Sequence, residues 1–334
     1  MSADTASADT ASAETGRAPD AGATSASTEI SEQRPRPRRL VLYLLGLGTV
    51  IFWGASFPLT KAALDYTGPT AIAFLRWTVS AIFLSGYLAV ANRRDPSLSR
   101  SAVAAMLRAK WRTVAWVSFA GITLYYFLEN VALRYTTATN AGVLSNLTPV
   151  FMVLIGALFL HERLAAIDWL ALAGAFVGSA LVSQGAGHLT LGGTGLGSDA
   201  MMSLAGLFGA LFSIGGKQLS EKYPPAVVTT VLAATGALFL LPLALMEGLS
   251  FDLPAKGWGM IVLLGLGSGA LANLCWLSLL AHTPASRAAM TLLLIPLISA
   301  GLSVAFLNEP ITPLLVLGSA LVLGGVIVVQ RREL

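Results

Sequence analysis

From residue 41 onward the chain runs as ten long apolar stretches separated by short polar or basic joints. They lie near 41–61, 70–91, 113–133, 139–160, 165–184, 199–219, 226–246, 257–280, 286–307 and 311–330. Each is close to the roughly 20 residues an α-helix needs to cross about 30 Å of hydrocarbon. The runs are continuously apolar and do not alternate at period two, so they read as helices and not as barrel strands. The pattern predicts an all-α, polytopic membrane protein with ten transmembrane helices.

Composition and charge orient it. Only 11% of the 334 residues are charged and 55% are hydrophobic, with a mean hydropathy of +0.73. That charge is too sparse to cover a water-facing surface, for which about 25% is usual. With both termini cytoplasmic, fifteen Lys and Arg flank the inner ends of the spans and three (Lys61, Arg134 and Lys256) the outer ends. The positive-inside rule selects that orientation, which places the chain in a plasma (inner) membrane as a multi-pass protein. The same rule reads the basic clusters at 34–39 and 93–112 as topology signals, so nucleic acid is excluded as a partner. Residues 1–33 carry six acidic groups against Arg17. They read as a disordered tail without the apolar core of a secretion signal. Cys275 is the only cysteine and forms no intramolecular disulfide.

The second half repeats the first. Lys61-Ala-Ala-Leu-Asp-Tyr-Thr-Gly-Pro69 aligns with Lys217-Gln-Leu-Ser-Glu-Lys-Tyr-Pro-Pro225 at an offset of 156. Thr136-Thr-Ala-Thr-Asn-Ala141 aligns with Thr283-Pro-Ala-Ser-Arg-Ala288 at an offset of 147, which also pairs Pro149 with Pro296 and Gly178 with Gly325. Five spans per repeat is an odd number, so the two repeats enter the bilayer from opposite sides. Inverted repeats of this kind are characteristic of carriers. The organisation expected is a tail at 1–39, acidic and then Arg-rich; a first five-helix repeat at 40–184; an external loop at 185–198; a second repeat at 199–330; and a basic cytoplasmic end at 331–334.

Several motifs resemble the EamA branch of the drug/metabolite transporter superfamily. They are Phe52-Trp-Gly-Ala-Ser-Phe-Pro58, Phe74-Leu-Arg-Trp77, and the turns Leu160-His-Glu-Arg-Leu164 and Leu307-Asn-Glu-Pro-Ile311. The resemblance covers about residues 40–330; His161 and Asn308 stand where Gly is commoner, and the second repeat has no arginine matching Arg76. It implies a ten-helix fold with a central cavity lined mainly by the first, third, fourth, sixth, eighth and ninth helices. It also implies the export of amino acids and other metabolites, or the movement of sugar conjugates and drugs.

Polar groups inside the spans are the candidates for the substrate path, because each costs about 2.5–3.5 kcal/mol at mid-bilayer if charged. Arg76 and Glu129 fall at similar depth on adjacent spans, as an ion pair or as walls of a shared polar cavity. Trp53, Tyr126, Asn146, Asn273 and Trp276 complete the path candidates. Pro58, Pro149 and Pro296 break spans and are hinge candidates. Lys61 and Lys217, equivalent in the two repeats, either snorkel to the headgroups or gate. Gly174, Gly178, Gly318 and Gly325 allow close helix approach, within the monomer or in a homodimer. No metal or cofactor is expected: Ala165 stands where a zinc helix beginning His161-Glu162 would need its second histidine. The expected function is secondary transport of a small metabolite, such as an amino acid or amphiphile, by alternating access. The partners are lipid and a small-molecule substrate, with proton coupling through Glu129 and uncoupled facilitation both open. A membrane-embedded lipid-modifying enzyme and a channel-like facilitator are the alternatives.

Overall fold

The computed structural model describes residues 37–135, 144–159, 165–185, 196–298, 301 and 312–331. Asn140, His161, Glu162 and Asn308 lie outside the described residues, as do the tail and the joint at 186–195. Every regular element described is helical. In chain order these are α1 (Arg39–Ala63), α2 (Pro69–Ala91), α3 (Arg100–Ser118), α4 (Tyr125–Tyr135), α5 (Leu147–Phe159), α6 (Ala166–Gly185) and α7 (Leu196–Ser220). There follow α8 (Pro225–Met246), α9 (Ala255–Leu263), α10 (Ala272–Leu280), α11 (Ala285–Leu292) and α12 (Pro313–Arg331). Two π-helical segments, Phe119–Leu124 and Leu264–Leu271, join α3 to α4 and α9 to α10. Among the described helices, α1, α2, α7, α8 and the continuous run Ala255–Leu280 are long and apolar enough to cross a membrane.

The predicted spans and these helices agree closely at α1, α2 and α8. The basic stretch before the third span, which the apolar pattern leaves between spans, is helical. Ser99 caps α3 by accepting from Ala102 N, and good helix formers follow it. Lys110, at φ −133° and ψ 21°, marks the kink between the basic part and the apolar part. Large apolar side chains such as Leu44, Ile82, Leu158, Leu170, Leu238 and Leu263 are exposed on the outside of the bundle. That surface suits lipid and not water.

Two helix pairs hold the halves together. In the first, α2 packs on α8 head to tail. The Glu247 carboxylate, just past the end of α8, accepts from Thr70 N (2.8 Å), Ala71 N (3.0 Å) and the Thr70 hydroxyl. It thus caps α2, whose first amides have no helical partner. A Cβ on Gly68 would come within 2.3 Å of that carboxylate, so a larger residue there would displace the cap.

In the second pair, α6 packs on α12. A Cβ on Gly178 would sit 2.7 Å from Gly318 O, and one on Gly325 would sit 2.7 Å from Ala171 O. The 147 offset carries residues 171 and 178 onto 318 and 325, so the contact is reciprocal. Residue numbers rise along one helix as they fall along the other, so the pair is antiparallel. These glycines serve packing inside the chain.

Because backbone oxygen cannot yield, Gly178→Ala should lower stability by about 1–3 kcal/mol, the usual cost of overpacking. Gly174→Ala, with nothing within 4 Å of its Cβ, should leave it unchanged. Thermal unfolding of the detergent-solubilised protein reads both.

Candidate functional site

The site grows from α4. Tyr125, Tyr126 and Glu129 fall within one turn, so helical periodicity gives Tyr125 and Glu129 one face. Around them is a narrow cavity of about 60 Å³. Its walls include Trp53, Phe57, Trp77, Phe212, Gly209 and Asn273. The residue Glu129 is 2% exposed, and it lines this space. The aromatic side chains form a connected array: Trp77 and Tyr126 have ring centroids 5.4 Å apart, and Tyr126 and Tyr125 4.7 Å apart.

Two kinds of interrupted backbone bond to the cavity wall or contribute to it. The first is the π-helical segment Leu264–Leu271, where the wider winding leaves carbonyls to be met by other groups. Trp53 Nε1 donates to Ser268 O (3.1 Å), Asn273 Nδ2 to Ser268 O (2.8 Å) and Gly269 O (3.0 Å), and Ser80 Oγ to Gly265 O (2.8 Å). The second is a pair of helix breaks. A turn at Asn146 precedes Pro149, and a turn at Leu293 and Leu294 precedes Pro296. A proline has no N–H for the residue four positions earlier. Those residues, Ser145 and Leu292, both line the cavity.

An asymmetry between the repeats opens the space. The offsets carry Trp53 onto Gly209 and Glu129 onto Trp276. On one side Trp53 packs against Trp276 with centroids 5.6 Å apart. At the corresponding place Gly209 faces α4, where a Cβ would lie 3.0 Å from Tyr125. Two indoles fill one position; at the other a glycine packs against Tyr125, and it and Glu129 line the cavity.

The predicted path residues divide. Trp53, Tyr126, Glu129 and Asn273 line the cavity. Arg76, Asn146 and Trp276 are buried outside its wall. Arg76 makes no direct ion pair with Glu129; its Nη2 donates to Ser268 Oγ (2.6 Å) and its guanidinium lies 4.4 Å from the Tyr126 ring centroid. Nε and Nη1 of Arg76, and both side-chain polar atoms of Asn146, have no hydrogen-bond partner among the described residues. Trp276 Nε1 donates to Ser213 Oγ (3.0 Å).

The hinge and gate candidates lie away from the cavity wall. Pro58 lies inside α1, and Pro149 lies in the first turn of α5, past the break. Lys61 donates to Leu133 O at the end of α4, and Lys217 to Leu280 O and Thr283 O (both 3.0 Å) at the end of α10. Gly209, Ser145, Leu292 and Trp77 were not singled out by sequence reading. The offset applied to Trp53, and a count of four back from each proline, would have found the first three.

A bundle of apolar-surfaced helices around a buried, largely aromatic pocket with one carboxyl group is the build of a multi-pass membrane transporter. The chain belongs to the EamA-like transporter family, which it matches over residues 40–184 and again over 197–331. An uncharacterized transporter of Archaeoglobus fulgidus is 30% identical over 85% of this chain and 97% of its own length. A protein of Streptantibioticus cattleyicolor named "Probable terminal-alkyne amino-acid exporter" is 27% identical over 86% of this chain and 92% of its own. A crystal structure 17% identical in sequence superposes with a TM-score of 0.71, covering 87% of this chain and 98% of that one. These relatives are named as transporters, and this protein is a transporter and not an enzyme.

Asn273→Leu should leave Gly269 O without its donor in a dry interior and cost about 1–3 kcal/mol. A lower thermal midpoint in detergent would register it.

Proposed function

We propose that the protein is a secondary carrier that exports a small metabolite, an amino acid or a comparably small amphiphile, across the plasma membrane. Two five-helix halves of opposite orientation, in a ten-span chain with both termini cytoplasmic, would expose the cavity to each side in turn. The observation that carries the reading is the reciprocal, antiparallel contact of Gly178 with Gly318 and Gly325 with Ala171. A twofold relation between halves gives outward and inward states similar energies. The cavity sits where such halves meet, with walls from α1, α4, α7 and α10. The name of the Streptantibioticus relative supports amino acids as cargo and export as direction.

In this reading Trp53, Tyr126, Glu129 and Asn273 touch the substrate. Arg76, Asn146 and Trp276 support the wall from behind, and the breaks before Pro149 and Pro296 are the hinges. Lys61 and Lys217 are matched latches, because the offsets that relate them also relate Leu133 to Leu280. Each lysine ties the first helix of its half to the end of the third, so the latches lie at opposite ends of the molecule.

The direct test is flux in proteoliposomes, run over an amino-acid panel with and without a pH gradient. Stimulation by the gradient assigns proton coupling; gradient-independent, saturable flux assigns facilitation. Gly209→Trp, which adds to α7 the indole that Trp53 supplies on α1, should reduce flux to background. Full activity in that variant would remove the cavity from the path. Lys61→Met and Lys217→Met should shift the equilibrium in opposite senses. A thiol at Ser56→Cys in a Cys275→Ser background would then become more reactive from one side of the membrane in one variant, and from the other side in the other. Equal shifts in both would refute the latch pair.

A further inference from the structure

The chemistry of the cavity wall selects one end of a substrate. We infer that the site takes an ammonium group, held by the Glu129 carboxylate among the rings of Trp53, Trp77 and Tyr125. This deepens the carrier reading and rests on it.

Two independent features favour a cation there. Among the described residues lining the cavity, Glu129 is the one carboxylate, and there is no lysine, arginine or histidine. The nearby cation, Arg76, is outside the wall, bonded to Ser268 Oγ and stacked on Tyr126. Second, indole and phenol rings attract cations through their negative faces, most strongly when water is excluded. A carboxylate or phosphate would meet the opposite of what it needs at both of these.

An ammonium arrives either on a free amine or on an amino acid, and the test separates them. Purified protein in nanodiscs would be titrated with choline and its neutral isostere 3,3-dimethylbutan-1-ol, then with leucine and 4-methylpentanoate, following tryptophan fluorescence. At least one ammonium probe should bind roughly tenfold or more tighter than its ammonium-free partner, in line with desolvated cation–π and ionic contacts. Choline alone indicates a free organic cation as cargo; leucine, alone or with choline, indicates an amino acid. Glu129→Gln, checked for folding by its thermal midpoint, should abolish the preference. Equal binding within both wild-type pairs would overturn the inference without requiring any variant. Flux of the same probes in proteoliposomes keeps the two readings apart. Saturable flux without ammonium preference defeats the inference and leaves the carrier. Ammonium-selective binding without flux does the reverse.

Discussion

In hydrocarbon there is no water to accept a stray backbone group, so each carbonyl released by irregular winding must find a donor inside the protein. The structure is organised around that demand. The π-helical run between α9 and α10 is met by Trp53 from α1, Ser80 from α2 and Asn273 from α10. The ends of α4 and α10 are met by Lys61 and Lys217. These bonds link helices that apolar packing alone holds weakly in lipid, where side chains gain little by leaving one apolar medium for another. They also explain why a tryptophan and an asparagine, expensive to bury alone, sit in the middle of the bundle.

The same demand locates the cavity. Irregular backbone at membrane depth is tolerated where protein buries it or where it borders a polar space. Here the two helix breaks line one void through Ser145 and Leu292, and the π-helical run lies behind the wall residues Trp53 and Asn273 that bond to it. Divergence between the repeats then sets its chemistry. The Trp53–Trp276 pair fills one position, and at its counterpart Gly209 and the carboxyl group of Glu129 line the cavity. A strictly symmetric protein would have had either two plugs or two pockets.

Much of this is legible from residues. The apolar runs anticipate α1, α2 and α8 to within about three residues, because lipid demands continuous hydrophobicity over a set length. The duplicated landmarks anticipate a relation between halves, and the intramembrane polar residues anticipate which spans carry chemistry. The reading was less sharp at Arg76 and Glu129. Opposite charges at equal depth suggested an ion pair or a shared cavity, whereas Arg76 turns to Ser268 and Tyr126 and leaves Glu129 at the void. Depth along a helix follows from counting, but rotation about its axis depends on neighbours remote in sequence. Ser268 is such a neighbour, far along the chain from Arg76.

The sequence by itself determined that this chain is helical, multi-pass and internally duplicated, since length, hydropathy and repeat spacing are properties of single segments. Only the tertiary structure decided which polar groups are consumed in holding helices together and which face open space. That choice depends on which carbonyls the π-helical segments release and which side chains from other helices reach them. Trp276 and Glu129, equivalent by spacing, part company: one donates to the Ser213 hydroxyl from behind the wall, and the other lines the cavity.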